Sequence, residues 1–326
     1  MTEGLLEIPG PFRLHHNAQL ENVRIAWRLT GAADAPVVCA LAGIWGDRRV
    51  FEPGDPRSGC WSEVVGPGRP LDANRYRILT FDYLGGSGGS TGPQPGERFP
   101  SISTYDQAEA LARLIDHLRI ASLRAILGGS YGGMVALAFA ERYPERVAAL
   151  VVISAADRPH PMAVAWHSIQ RRIARFAIER GQPLEGLTLA RSVGLALYRS
   201  SEEIAARFPA AARLEGDRYV FPVERYLFAD KNPGGSGFRA EAFLCLSESL
   251  DLHQVDASRI FVPTTAIAAR EDQLVPLADV RALTARLSVA HLHEISSIHG
   301  HDAYLREPAQ LRSILASELE SPVTPR

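Results

Sequence analysis

Three short stretches carry residue types that could do chemistry together: Gly128-Gly129-Ser130-Tyr131-Gly132, Arg270-Glu271-Asp272 and His299-Gly300-His301-Asp302. A serine hydroxyl is a poor nucleophile until a base takes its proton, and that base needs an acid to orient it. Serine, then acid, then histidine is the chain order that accompanies a Gly-x-Ser-x-Gly elbow. In such an elbow an apolar strand, here Ala125-Ile126-Leu127, runs into a turn sharp enough to force the serine to positive φ. A helix, expected from Met134 to Tyr143, then leaves it. Gly128 and Gly132 remove the Cβ atoms that would collide where helix crosses strand. Ser130 would stand above the first turn of that helix, where dipole and amide groups favour developing negative charge. The plainer reading, a glycine-rich turn with an incidental serine, does not account for the strand before it and the helix after it.

The other two roles have competitors. Asp272 follows an apolar stretch, Thr264 to Ala269, as a loop acid should, and Glu271 is its rival. The base is His301 or His299. His301 follows a glycine and opens the last helix, the usual exit for such a base. The oxyanion needs backbone donors that act where charge develops. The Tyr131 N–H follows the nucleophile, and the second donor is expected after the Val37–Leu41 strand, near Leu41 or Ala42.

The elements that must position these groups alternate between buried strand and helix. Apolar runs at Pro36–Gly43, Tyr76–Asp82, Ala125–Leu127, Val147–Ser154, Thr264–Ala269 and His291–Ile295 read as strands. A hairpin over Phe12–His16 and Val23–Leu29 precedes them. Ser103-x-x-Asp106 resembles a capping box opening a helix through Leu118, and Pro308–Leu319 is the last helix. Alternation of this kind predicts an α/β fold with a mostly parallel, doubly wound sheet. From Ala155 the rhythm changes: Met162–Arg180, Leu187–Arg199, Ser201–Leu214 and Phe238–Leu250 read as helices with no buried strand between them. That is the pattern of a helical cap inserted over an active site. The expected division is core in 1–155, cap in 156–255 and core again in 256–326, with Pro322–Arg326 a frayed tail.

Composition narrows the function. The 326 residues are 46% hydrophobic and 22% charged, with a formal net charge of -2, which gives no electrostatic case for nucleic acid. The three cysteines, Cys39, Cys60 and Cys245, are far apart and make neither a disulfide framework nor a metal spacing. No signal peptide or membrane span is read, so a cytoplasmic protein is expected. The loop Leu84–Pro93 is glycine-rich but lacks the phosphate-loop lysine signature. These features describe a serine-triad enzyme without choosing among esterases, lipases, peptidases, thioesterases and acyltransferases.

A resemblance goes further. The sequence resembles the homoserine O-acyltransferase family of the α/β-hydrolase superfamily from about Trp61 to Leu305. The matching stretches are Val65–Asp72, Leu84-Gly85-Gly86 with Gly89–Pro93, Gly128–Met134, Tyr198-Arg199-Ser200 and Gly300–Leu305. The Gly89-Ser90-Thr91-Gly92-Pro93 and Gly300-His301-Asp302 segments are the more specific. Departures are Tyr131 where the family usually has methionine, Leu41-Ala42-Gly43 where it has Leu-Thr-Gly, and the lack of some longer insertions.

The resemblance implies an α/β-hydrolase fold with Ser130, Asp272 and His301 as the triad. It also implies Arg191 and Tyr198 as acceptor-binding residues, Arg191 holding the substrate carboxylate, and Asp302 as the acid that meets its ammonium. A guanidinium suits a carboxylate and an aspartate an ammonium. The implied reaction is ping-pong transfer from an acyl-coenzyme A co-substrate to homoserine in methionine biosynthesis, with no metal and no permanently bound cofactor. Succinyl is favoured over acetyl, Arg48 and Arg49 being the cations available for its free carboxylate. The alternatives are an ester or thioester hydrolase, or an acyltransferase acting on another hydroxy amino acid such as serine. The resemblance also implies a homodimer through the cap, with small-molecule substrates and neither nucleic acid nor membrane as partners.

Overall fold

The computed structural model describes residues 1–55, 58–229 and 238–320, the side chain of 320 excepted. The tail expected at Pro322–Arg326 lies outside these residues.

Eight strands form one sheet: β1 (Thr2–Arg13), β2 (Gln19–Thr30), β3 (Val37–Leu41), β4 (Arg77–Phe81), β5 (Ala125–Gly129), β6 (Leu150–Ile153), β7 (Thr264–Ala269) and β8 (Ala290–Ile295). Their order is β1-β2-β4-β3-β5-β6-β7-β8. The pairs from β4 to β8 are parallel, while β1 and β2 pair antiparallel with each other and β2 with β4. The short apolar strands β3, β5, β6 and β7 are buried almost throughout, as strands covered on both faces must be. The opening hairpin is longer than expected. β1 and β2 keep one face in water, so alternation fades at their ends while the backbone pairing continues from Thr2 to Leu29.

Helices cover both faces. α1 (Thr104–His117) and α2 (Tyr131–Arg142) bury Leu111, Leu114, Val135 and Phe139 in the core beneath β2, β4 and β5. At the start of α1, Asp106 Oδ2 accepts from the Ser103 N–H at 2.6 Å and its hydroxyl at 3.0 Å. That fixes the loop leaving β4, as the capping motif predicts.

Between Pro161 and Asp251 lie α3 (Pro161–Ile178), α4 (Pro183–Tyr198), α5 (Ser201–Arg207), α6 (Pro222–Leu227) and α7 (Ala240–Asp251). The helix expected over Ser201–Leu214 ends at Arg207, because Pro209 lacks an N–H and disfavours helical backbone in Phe208 before it. Arg213–Glu215 and Arg218–Val220 then pair antiparallel around Gly216, an exposed turn that the helical reading missed. α4 starts at Pro183 rather than Leu187, with the proline in the first turn where no donor is needed. Asp251 joins α7 to α3, meeting His167 Nδ1 at 2.7 Å and Arg171 Nη1 at 2.6 Å.

The chain returns to the sheet with α8 (Leu277–Thr284), which links β7 to β8 and is too short to leave a periodic signal. After β8 come a turn at Gly300–Asp302, α9 (Ala303–Arg306) and α10 (Pro308–Glu320), whose Leu311 and Leu315 enter the second core layer with Val38, Leu127 and Trp61.

Candidate active site

The turn between β5 and α2 is tight enough to need glycine on both sides of Ser130. A Cβ at Gly128 would come 2.2 Å from the Gly132 carbonyl oxygen, and one at Gly132 would come 2.1 Å from that of Leu41. Only glycine fits either position, and Ser130 between them is forced to φ +53°. A non-glycine residue in that region stores strain and marks an over-determined site. The strand position is held by the Ser130 N–H, which donates to Ile153 O at 2.8 Å.

His301 reaches Ser130 from the turn after β8. Its Nε2 lies 2.9 Å from Ser130 Oγ, and its Nδ1 lies 2.8 Å from Asp272 Oδ2. Asp272 is buried in the loop after β7, and its Oδ1 accepts from the Leu274 and Val275 N–H groups, both at 2.9 Å. Three of the carboxylate's acceptor positions are thus taken, two by backbone and one by imidazole. With a carboxylate on Nδ1, the neutral ring presents Nε2 as acceptor to the serine hydroxyl. Burial is the largest influence on His301 and opposes its charge, but Asp272 and Asp302 together outweigh it and raise the imidazole pKa above its ordinary value.

The two rivals stand elsewhere. Glu271 accepts from Ser296 Oγ at 2.6 Å and from the Ser297 N–H at 2.8 Å, which ties the β7 loop to the loop carrying the histidines. His299 Nδ1 lies 3.8 Å from Glu203 Oε2.

Tyr131 opens α2, so its N–H belongs to the first turn, which has no intrahelical acceptor. Its side chain points into the core, where its hydroxyl meets Ser249 Oγ at 2.6 Å and accepts from Gln107 Nε2 at 3.3 Å. Leu41 ends β3, with its carbonyl packed on Gly132. Two residues on, a Cβ at Gly43 would come 3.9 Å from the Ser130 Cβ, so the loop after β3 runs beside Ser130. The Ala42 carbonyl is taken by Tyr83 Oη at 2.6 Å.

Arg191 and Tyr198 lie seven residues apart on α4 and face the same way, onto Trp45. The Arg191 guanidinium carbon is 4.9 Å from the indole ring, and Trp45 Nε1 donates to Tyr198 Oη at 3.3 Å. The Tyr198 ring lies 5.7 Å from that of His301. Asp302, next to the base, pairs with Arg199 Nη2 at 3.1 Å. Burial is the largest influence on the Asp302 carboxyl and lifts it above its usual value, although Arg199, His301, Arg306 and Arg191 pull the other way.

Trp45, Arg199 and Tyr304 were missed in the sequence. Trp45 also stacks on Phe243 at 5.2 Å, which ties the loop after β3 to α7. Tyr304 packs its ring on Gly129, where a Cβ would come within 2.6 Å. The available signals were a lone tryptophan after the β3 strand and the place of Arg199 and Tyr304 within the matching stretches Tyr198-Arg199-Ser200 and Gly300–Leu305. Of the two arginines considered for an acyl carboxylate, Arg48 is ion-paired with Asp82 and lies 3.5 Å from Glu3, whereas Arg49 is exposed. Among the described residues no group of His, Cys, Asp or Glu is arranged to hold a metal ion. No helix there is long and apolar enough to cross a membrane.

Chemically, a serine, a histidine and an aspartate in this arrangement can act as nucleophile, base and orienting acid, with an arginine on α4 and a second aspartate in the turn after β8 nearby. The pattern of the alpha/beta hydrolase fold matches residues 53–308. The chain is 38% identical to a homoserine O-succinyltransferase of Xanthomonas campestris over 98% of its own length and 84% of that protein. It is 36% identical to a homoserine O-acetyltransferase of Thermus thermophilus, over 88% of this chain and 78% of that one. Among solved structures, a homoserine O-acetyltransferase from Bacillus anthracis superposes with TM-score 0.88 at 18% identity, covering 100% of this chain and 99% of the other. Esterase E22 does so with TM-score 0.85 at 19% identity, covering 98% of this chain and 100% of the other. At those identities the two structures speak for the fold alone.

Proposed function

The chain belongs to the alpha/beta hydrolase fold family and, within it, to the homoserine O-acyltransferases; from that membership we propose that it moves an acyl group from coenzyme A to the hydroxyl of L-homoserine by way of Ser130. The observation that carries the reading is the hydrogen-bonded run Ser130–His301–Asp272 with Arg191 and Asp302 beside it. Esterases need only the run. An α-amino acid also brings a carboxylate and an ammonium, and an arginine and an aspartate are their complements.

In the first half-reaction His301 Nε2 takes the Ser130 proton as Oγ attacks the thioester carbon. The oxyanion is held by the Tyr131 N–H and a second amide at the end of β3, near Leu41. The C–S bond breaks, and the proton passes from His301 to the departing thiolate. In the second, His301 takes the proton of the homoserine hydroxyl as its oxygen attacks the acyl-serine. The ester bond to Ser130 breaks and the proton returns to Oγ. Arg191 and Tyr198 hold the acceptor carboxylate, Asp302 its ammonium, and the cap excludes the water that would otherwise hydrolyse the acyl-enzyme.

Succinyl-coenzyme A is the donor we propose, in keeping with the Xanthomonas relative, which matches nearly the whole chain. With Arg48 committed to Asp82, Arg49 is the arginine left for the succinyl carboxylate. The enzyme would serve methionine biosynthesis in the cytoplasm, with no resident cofactor or metal, no nucleic-acid or membrane partner, and act as a homodimer through the cap.

The test is incubation with succinyl- or acetyl-coenzyme A, alone and with L-homoserine or L-serine, followed by mass spectrometry of protein and products. The expected result is a succinyl adduct on Ser130 that homoserine discharges to O-succinylhomoserine. Release of free succinate at the same rate with and without homoserine would make the protein a hydrolase.

A further inference from the structure

Beside the triad, Asp302 belongs to a buried ion cluster whose other members, Arg199 and Glu203, the mechanism above leaves unused. Arg199, the extended residue that caps the C-terminus of α4, has Nη2 3.1 Å from Asp302 Oδ2 and Nη1 3.4 Å from Glu203 Oε2. The Arg199 and Glu203 side chains are only 8% and 9% exposed, and that of Asp302 14%. Taking such groups out of water costs several kcal/mol per ion, and an apolar replacement often does as well for stability. Stability alone is therefore a weak reason for three charges here.

The backbone around Arg199 is tied to the histidine loop. Ser200 Oγ donates to Ile298 O at 2.5 Å and accepts from the Glu203 N–H at 3.1 Å, capping α5. Gly300 packs against the backbone of Tyr198, Arg199 and Ser200. The guanidinium is thereby set at a fixed place relative to His301 and Asp302.

We propose that Arg199, anchored by Glu203, is a positioning residue for the acceptor step, holding the Asp302 carboxylate ionised and aimed at the ammonium of the incoming amino acid. This rests on the reading of Asp302 given above. Four cations act on Asp302: Arg199, His301, Arg306 and Arg191. His301 must be neutral to act as base, so it gives no steady countercharge. Arg191 is committed to the acceptor carboxylate. Arg306 is exposed, where water and salt screen its charge, whereas Arg199 has its guanidinium in direct contact with the carboxylate. Burial pushes Asp302 toward its neutral form, and a neutral acid loses most of its attraction for an ammonium. A carboxylate has two oxygens, so Arg199 on one leaves room for an ammonium on the other. The wider surroundings of the pair are Tyr198, Tyr226, Tyr304, His299 and Arg207, the last 3.6 Å from Glu203 Oε1.

The experiment follows coenzyme A release and product formation separately in single turnovers, across pH, for Arg199→Met, Arg199→Lys, Asp302→Asn and the Arg199→Met/Asp302→Asn double variant. Arg199→Met is expected to leave coenzyme A release nearly unchanged while raising the acceptor KM about 30-fold or more. The acid limb of acceptor capture should move to higher pH, because Asp302 then protonates more easily. Arg199→Lys should restore that limb. The double variant should be no worse than Asp302→Asn, since one residue acts through the other. Equal slowing of both half-reactions with an unmoved acid limb would reduce Arg199 to a structural residue, and additive losses in the double variant would overturn the proposal too. If Asp302→Asn captures homoserine normally, the acceptor reading of Asp302 fails and the proposal with it. If Asp302→Asn is impaired and Arg199→Met is not, only the proposal falls. Should Arg199→Met not fold, Glu203→Gln carries the test: a raised acceptor KM with normal coenzyme A release supports the anchor, and an unchanged KM overturns it.

Discussion

Gly300 lies under the carbonyl of Tyr198: a Cβ on it would come 2.7 Å from that oxygen, and its own φ is +57°. The loop that carries His301 and the end of cap helix α4 therefore touch backbone to backbone. Gly300→Ala must both adopt left-handed backbone and push α4 away. We expect a loss of about 1–3 kcal/mol in stability. Displacing Tyr198 and Arg199 should also lower acceptor kcat/KM more than the rate of coenzyme A release. Thermal melts and single-turnover kinetics check this together; unchanged values in both would mean that the contact is slack.

Asp272→Asn tests the orienting acid through pH. The base must be neutral to work, and the carboxylate beside it raises the His301 pKa, so the acid limb of kcat/KM should lie above about 6.5, the ordinary imidazole value. Asparagine removes that charge while burial remains. The limb should move down, and turnover should fall about ten-thousandfold as the wrong tautomer is favoured. Stability follows the same sign. A histidine raised by its partner stabilises the fold fully below its unfolded pKa and loses that contribution as pH rises through its folded one. The stability gap between wild type and variant should thus narrow toward alkaline pH in urea melts.

Arg191→Ala separates transferase from hydrolase. Arginine on a carboxylate in a partly dry site is worth about 2–5 kcal/mol when one partner is truncated. Capture of homoserine should fall by about 30-fold to several thousandfold in kcat/KM, while coenzyme A release survives. A variant that handles homoserine like wild type would remove Arg191 from the acceptor site.

Trp166→Glu addresses the proposed dimer. On α3, Met162, Trp166, Ile169 and Phe176 are exposed at helical spacing, with exposures from 36% to 56%. An exposed apolar stripe of that kind is what a contact between two copies would cover. Wild type should sediment as a dimer at micromolar concentration and the variant as a monomer. A monomeric wild type would sink the assignment.

Much of the core was legible because its signals are local. A strand buried on both faces is a short apolar run, as in β3, β5 and β7, and the elbow shows itself in Gly128, Ser130 and Gly132, each within a few residues of the others. Chain order narrowed the acid and the base to two neighbouring pairs, Glu271 or Asp272 and His299 or His301. Position favoured Asp272, past a strand end, and His301, after a glycine at the head of the last helix; residue types alone do not separate neighbours one or two positions apart, which differ in where a turn aims them. The helix end at Arg207 and the exposed turn at Gly216 were lost where surface helix and hairpin share a polar composition.

Tertiary structure decided what depends on contacts between distant segments. Asp272 faces His301 because its other oxygen is held by the Leu274 and Val275 amides, while Glu271 is turned to Ser296. Arg199 meets Asp302 across more than a hundred residues of chain, only because Gly300 lets two backbones close on each other. Trp45 joins Arg191 and Tyr198 for the same reason: residue types fix what a side chain can bind, and packing fixes what it reaches.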